Sequence, residues 1–188
     1  MIRGIHHVAV HVRDLDRMIR FYRDAFGFAM VGEEFSWTPM PMMDQILGVS
    51  GTAARGVMLR AGSCYLEMFQ YSAPAPLVTQ PLKPYDRGYT HFCVDVTDIE
   101  EEYRRLRELG MSFGHPEPLD AGHVKTIYGR DPEGNLIEIQ QTAPHANSGS
   151  TGYHRWPNKY NARIAPADPI QGPRRLTPWP GQRCRWRQ

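Results

Sequence analysis

Alternation opens the chain. From Gly4 to Val12, the residues Val8, Val10 and Val12 fall on one side of an extended segment, while Ile5, His7, Ala9 and His11 fall on the other. That two-residue period predicts a β-strand. After Asp14 the period changes, and Met18, Ile19, Phe21, Tyr22, Ala25 and Phe26 recur at helical spacing. Asp14 is placed to cap this helix and Gly27 to stop it. The same succession begins again at Gly88, with a strand over Tyr89–Val96, a helix over Asp98–Leu109 and a stop at Gly110. In both passages a glycine precedes a histidine by three residues and an aspartate follows it by seven: Gly4, His7, Asp14 and Gly88, His91, Asp98. The shared spacing marks a duplicated strand-helix unit.

The rest of each copy reads as strands. In the first, Phe28–Glu34 is a strand, and Gly56–Ala61 with Cys64–Tyr71 form a hairpin turning at Ala61-Gly62-Ser63. Between them Phe35–Gly51 is rich in Met, Pro and Trp without a clear period, and is predicted to be a loop with one helical turn at Asp44–Leu47. In the second copy, strands are predicted over Met111–His115, His123–Arg130 and Asn135–Gln141, the last pair joined by the turn Asp131-Pro132-Glu133-Gly134. Ser72–Arg87, with Pro74, Pro76, Pro81 and Pro84, reads as a linker. Residues 1–142 then form one domain: module one over 4–71, a linker over 72–87 and module two over 88–142. Beyond Thr142 seven prolines and clustered arginines replace any period. Residues 143–188 are expected to be an extended tail, either disordered or wrapped on the body through Tyr153, Trp156, Tyr160, Trp179 and Trp186.

Charge separates the same two parts. The net charge is +2, but residues 1–142 carry 14 basic against 19 acidic side chains, whereas the tail carries 8 basic against Asp168 alone. A basic tail without a nucleic-acid motif is expected to be solvated or docked on its own acidic body, so nucleic acid is not an expected partner. No apolar run reaches the length of a membrane span and no signal-peptide pattern opens the chain, which predicts a cytoplasmic protein. Cys64, Cys93 and Cys184 are scattered and form no CxxC, so neither a disulfide framework nor a thiolate zinc site is indicated.

Two carboxylates stand out of place. Tyr65, Glu67, Phe69 and Tyr71 share a strand face opposite Leu66 and Met68, and Leu136, Glu138 and Gln140 share one opposite Ile137 and Ile139. Each half therefore supplies one histidine on its first strand and one glutamate on its last: His7 with Glu67, His91 with Glu138. Two imidazoles and two carboxylates suit one divalent cation of the Zn, Ni, Co, Mn or Fe type. All four lie opposite the aliphatic rows expected to pack under the helices, so the duplication predicts a shared cleft.

Taken together, IHHVAVHVRDLDRMIRFYRDAFGF, YLEMFQY, THFCVDVTDIE and YGRDPEGNLIEI resemble the vicinal oxygen chelate superfamily, which includes glyoxalase I, methylmalonyl-CoA epimerase, extradiol dioxygenases and fosfomycin or bleomycin resistance proteins. The resemblance covers residues 4–142. It implies an α+β fold of two tandem βαβββ modules whose curved mixed sheet encloses a metal cleft. It carries the ligand positions to His7, Glu67, His91 and Glu138, leaves His6 facing the other way, and implies a homodimer with the site either within a chain or between chains. The implied substrate is a small molecule with vicinal oxygens.

Members of such a family share substrate chelation and diverge in the chemical step. Glu67 occupies the position where glyoxalase I uses a fourth ligand, which favours an epimerase or isomerase that removes a proton beside a carbonyl through a metal-stabilised enediolate, with Glu138 or Glu67 as base. The alternatives are an extradiol-type iron(II) dioxygenase and a non-catalytic drug-binding resistance protein. Tyr128 and the Gly-Arg-Asp-Pro-Glu-Gly run after it match the second half of the extradiol signature, but the spacing from His123 does not match the first. Tyr128, His11 and Asp95 are further catalytic candidates, the last two lying four residues past His7 and His91 on the same strand faces. Phe35, Trp37, Met40 and Met43, with Phe69 and Tyr71, are expected to line an apolar substrate pocket.

Overall fold

The structure, a computed structural model, describes residues 1–2 and 4–142. The tail and its proposed aromatic anchors lie outside the described residues. Module one runs β1 (His7–His11), α1 (Leu15–Phe26), β2 (Ala29–Met30), β3 (Phe35–Trp37), α2 (Pro41–Leu47), β4 (Ala53–Ala61) and β5 (Cys64–Ala73). Module two runs β6 (His91–Asp95), α3 (Ile99–Glu108), β7 (Ser112–Phe113), β8 (Leu119–Asp120), β9 (Val124–Arg130) and β10 (Leu136–Thr142). Each module has its own five-stranded mixed sheet, in the orders β1-β5-β4-β2 and β6-β10-β9-β7, with β3 pairing β4 and β8 pairing β9. In each, the histidine-bearing first strand runs parallel to the glutamate-bearing last strand and forms the sheet edge. The α+β architecture of two repeated modules is the one the sequence predicts. Among the described residues no helix is long and apolar enough to cross a membrane.

The helices form where the caps and apolar spacing require. Asp14 accepts a hydrogen bond from Arg17 N at 3.0 Å and Asp98 one from Glu101 N at 3.0 Å, satisfying amides that a helix leaves unpaired at its start. Gly27 ends α1 with φ 66°, a left-handed conformation that costs a glycine nothing. Leu15, Met18, Phe21, Tyr22 and Ala25 bury one face of α1, and Ile99, Tyr103 and Leu106 one face of α3. These faces meet Val12, Leu66, Met68, Val57 and Leu59 from one sheet and Ile127, Ile137 and Ile139 from the other in a single apolar cluster.

Polar contacts then tie the modules. The buried Tyr22 hydroxyl donates to Asp131 at 2.8 Å, and Glu133 accepts from the amides of Arg13 and Asp14 at 2.6 and 2.8 Å. The Asp131-Pro132-Glu133-Gly134 turn of module two therefore sits on the start of α1, where a carboxylate is favoured by the helix dipole.

Three local expectations change. Phe35–Gly51 is not one loop: Phe35 to Trp37 pair with Gly56 to Ala54, and Pro41 and Gly48 bracket a helix of seven residues. Pro41 suits the first helical turn and Gly48, at φ 67°, suits the stop, so this short helix rests on end signals rather than a period. The strand expected to reach Glu34 ends at Met30, before Gly32 at φ 75°. His6 precedes the first residue of β1, so strand alternation does not reach it, and its ring stacks on Tyr65 at 4.9 Å rather than facing the opposite way.

Candidate metal centre

The burial of β1 and β6 alternates in step, each histidine exposed and the next residue half-buried. Register places His7, Ala9 and His11 beside Tyr65, Glu67 and Phe69 on one sheet, and His91, Cys93 and Asp95 beside Leu136, Glu138 and Gln140 on the other. The alternation read from the sequence thus brings each histidine to its own glutamate. His7 Nε2 lies 3.2 Å from Glu67 Oε2, and His91 Nε2 lies 3.5 Å from Glu138 Oε2.

Those separations suit a cation. Two ligand atoms each about 2.1 Å from one ion, at angles between right-angled and tetrahedral, stand about 3.0–3.5 Å apart. The other ring nitrogens are occupied: Thr90 Oγ1 lies 3.0 Å from His91 Nδ1, and His6 Nδ1 lies 3.0 Å from His7 Nδ1. With Nδ1–H donating to Thr90, a neutral His91 ring would carry its lone pair on Nε2, facing the Glu138 carboxylate, and a cation held between the two acceptors would reconcile them. Thr90 and His6 stand at the same place in the repeat, immediately before the histidine, and the strand pattern alone did not mark either as a partner.

The pairs remain separate within one chain. Among the described residues, no three His, Cys, Asp or Glu side chains gather closely enough to hold one cation. The structure brings together His7 with Glu67 and His91 with Glu138 as two separate pairs.

The surroundings of the two pairs differ. Glu138 accepts from Thr126 Oγ1 at 2.7 Å and from Tyr128 OH at 3.2 Å, and Tyr128 OH also lies 3.3 Å from His91 Nε2. Burial, then the Glu138 charge, push the Tyr128 hydroxyl above its ordinary pKa, so it stays a proton donor. Burial also pushes the Cys93 thiol up to about 12, with Glu138 and Asp95 adding to it. Asp95 is exposed at the end of β6, on the Cys93 face. His11 Nε2 accepts from the Tyr71 amide at 3.3 Å, and burial holds its pKa below the usual imidazole value, against the nearby Glu133 charge. It acts here as a neutral acceptor that fixes β5.

On the Glu67 side the neighbours are aromatic. Phe69 packs on Phe35 at 5.9 Å, on Trp37 at 5.8 Å and on Tyr71 at 5.6 Å, and Trp37 packs on Tyr71 at 5.8 Å. Trp37 is anchored by an Nε1–H bond to the buried Thr52. These four rings form a half-buried apolar wall. Met40 and Met43 belong to α2 and its cap; the helix has no buried residue and carries Met42 and Ile46 exposed. The wall requires Gly56, because a Cβ there would come within 2.9 Å of both the Phe35 and Phe69 rings. Gly56→Ala is expected to destabilise the fold by about 1–2 kcal/mol through overpacking, read as a lower thermal midpoint.

Sequence reasoning also missed Gln70 and Gln141, each three residues past its glutamate. Their side chains accept from the first helical amides, Leu15 N at 3.1 Å and Ile99 N at 2.9 Å. Each glutamate-bearing strand is thereby tied to its own helix.

Fold and site define a class. The chain belongs to the glyoxalase/bleomycin resistance protein/dioxygenase superfamily, whose family model matches residues 4–139. It is similar to a 2-epi-5-epi-valiolone epimerase from an Actinomyces species, 31% identical over 72% of this chain and 78% of that protein. A lactoylglutathione lyase of Schizosaccharomyces pombe is 26% identical over 76% of this chain, which spans 50% of that protein. The crystal structure of a Bacillus cereus glyoxalase family protein shares the fold, with a TM-score of 0.67 at 19% identity over 77% of this chain and 97% of that one. The relatives include epimerases, lyases and fosfomycin-resistance proteins.

Proposed function

We propose that this protein is a divalent-metal-dependent epimerase or isomerase that removes and returns a proton beside a carbonyl of a small, partly apolar substrate with vicinal oxygens. The observation that carries this reading is the second carboxylate. His7, His91 and one glutamate suffice to hold a cation with positions open to substrate, and Glu67 and Glu138 together leave one carboxylate for proton transfer. The likeness to an epimerase across most of both chains supports it.

Each residue has its own part in the reaction. His7, Glu67, His91 and Glu138 would hold the cation, and the chemistry it would supply there is polarisation of the substrate carbonyl, which makes the neighbouring C–H more acidic. The wall of Phe35, Trp37, Phe69 and Tyr71 takes up the apolar part of the substrate and excludes water beside Glu67. A carboxylate oxygen accepts the proton from carbon and returns it, and the Tyr128 hydroxyl holds Glu138 in place. A second copy of the chain completes the site. The exposed ligand faces of the edge strands β1 and β6, and the separation of the half-sites, support that arrangement.

Loading the protein with Co(II), Ni(II), Zn(II), Mn(II) or Fe(II) and incubating it with 2-epi-5-epi-valiolone and short α-hydroxy and α-alkyl carbonyl compounds in deuterated water tests the reaction. Solvent deuterium is expected at the carbon beside the carbonyl. Oxygen uptake with catechols in place of exchange would move the site to dioxygenase chemistry.

A further inference from the structure

The repeat allows the two glutamates to be compared position by position. Glu138 is opposite Tyr128 on β9 and Cys93 on β6, with Thr126 diagonal to it, since Thr126 faces Gln140. Glu67 is opposite Met58 on β4 and Ala9 on β1, with Gly56 diagonal to it, since Gly56 faces Phe69. Every position that offers Glu138 a hydroxyl or thiol offers Glu67 a group without a donor. The difference is already expressed in the contacts: both oxygens of Glu138 are engaged, Oε1 by Thr126 at 2.7 Å and Oε2 by Tyr128 at 3.2 Å. Beside Glu67 the rings of Phe35 and Phe69 fill the space over Gly56.

We propose that Thr126 and Tyr128 are positioning residues that lock Glu138 in the cation site, so that this half-site is the fixed anchor and Glu67 is the carboxylate that swings to take the substrate proton. This rests on the metal-dependent reading above. A ligand carboxylate hydrogen-bonded on both oxygens loses little orientational freedom when a cation binds, and it cannot turn toward substrate without breaking two bonds. Glu67 breaks none of that kind when it turns, and it stands beside the aromatic wall where an apolar substrate docks. The Thr126 hydroxyl has one proton to donate, and its shorter contact, 2.7 Å to Glu138 Oε1 against 3.1 Å to the Ile139 carbonyl, directs that proton to the carboxylate.

Equilibrium titration of the full chain with Co(II), followed by absorbance and by competition with a chelator, reads the anchor without any turnover. Thr126→Val and Tyr128→Phe are each expected to weaken Co(II) binding by about 10-fold or more, the usual effect of removing a group that orients a ligand. Thr126→Ser, which keeps the hydroxyl, is expected to stay within about threefold of wild type. Glu138→Gln is expected to weaken binding at least tenfold more than Glu67→Gln, while Glu67→Gln lowers deuterium exchange by about 10²–10⁴-fold. Circular dichroism and the thermal midpoint check folding, and Tyr128→Phe, at a 38% exposed residue, keeps the comparison if Thr126→Val unfolds. Thr126→Val and Tyr128→Phe both within twofold of wild type, or Glu67→Gln weakening Co(II) as much as Glu138→Gln, would overturn the assignment. Absence of deuterium exchange with the affinity order intact would instead remove the epimerase reading and leave the anchor standing.

Discussion

Alanine in place of His91 is expected to lower divalent-cation affinity by about 10³-fold and to abolish deuterium exchange, and His7→Ala is expected to do the same. Removing an orienting neighbour costs about 10–100-fold, and removing the ligand itself costs more. The loss is not one of folding. The two imidazoles are 39% and 30% exposed, so truncation leaves no buried cavity, and the thermal midpoint is expected to move by no more than a few degrees. Mixing the two inactive variants decides where the site is built. With sites between two chains, a mixed dimer has one site with both histidines missing and one with both present. Random mixing should then restore about a quarter of wild-type exchange. No restoration would place each site within one chain and remove the second copy from the proposal.

Asp131→Ala is expected to cost about 3–5 kcal/mol of stability. The Asp131 carboxylate is 3% exposed and accepts from Tyr22 OH at 2.8 Å, from the Glu133 and Asn135 amides at 2.9 Å, and from the Asn135 side chain at 2.8 Å. Truncation leaves a fully buried tyrosine hydroxyl and the donors of a tight turn without an acceptor, and each such group costs about 1–3 kcal/mol. Burial and the Asp131 charge hold the Tyr22 hydroxyl well above its ordinary pKa, so it remains a donor across the accessible pH range. Tyr22→Phe keeps the rings against Phe28 and Phe92 and loses only the hydroxyl. Denaturant unfolding of the two single variants and the double variant should show strong coupling. A loss below about 1 kcal/mol for Asp131→Ala would mean that the turn finds other partners.

The pairing of the candidate residues was legible because strand alternation and duplication are local properties. A period of two assigns His7 and Glu67 to one face with no knowledge of the fold, and the repeated Gly-x-x-His spacing doubles the assignment. The caps at Asp14 and Gly27 were legible for the same reason, since each acts on residues within one turn of itself. What was missed depends on pairing between distant segments. β3 exists because Phe35–Trp37 meets β4, and β8 because Leu119–Asp120 meets β9. Gln70 and Gln141 cap helices 55 and 42 residues away in the chain. His6 departs from strand alternation because the strand starts one residue later.

By itself, then, the sequence determined that this protein has two related halves, that each offers one imidazole and one carboxylate opposite an aliphatic face, and that its family is the glyoxalase-like one. Only the tertiary structure decided how those groups are held. It paired each histidine with its own glutamate, left the two pairs apart within the described chain, and set three donors around Glu138 but an aromatic wall beside Glu67. The physical reason is register. Alternation says which face a side chain takes, but which residue stands opposite it is set by pairing with strands far away in sequence, and a shift of one position would exchange every neighbour.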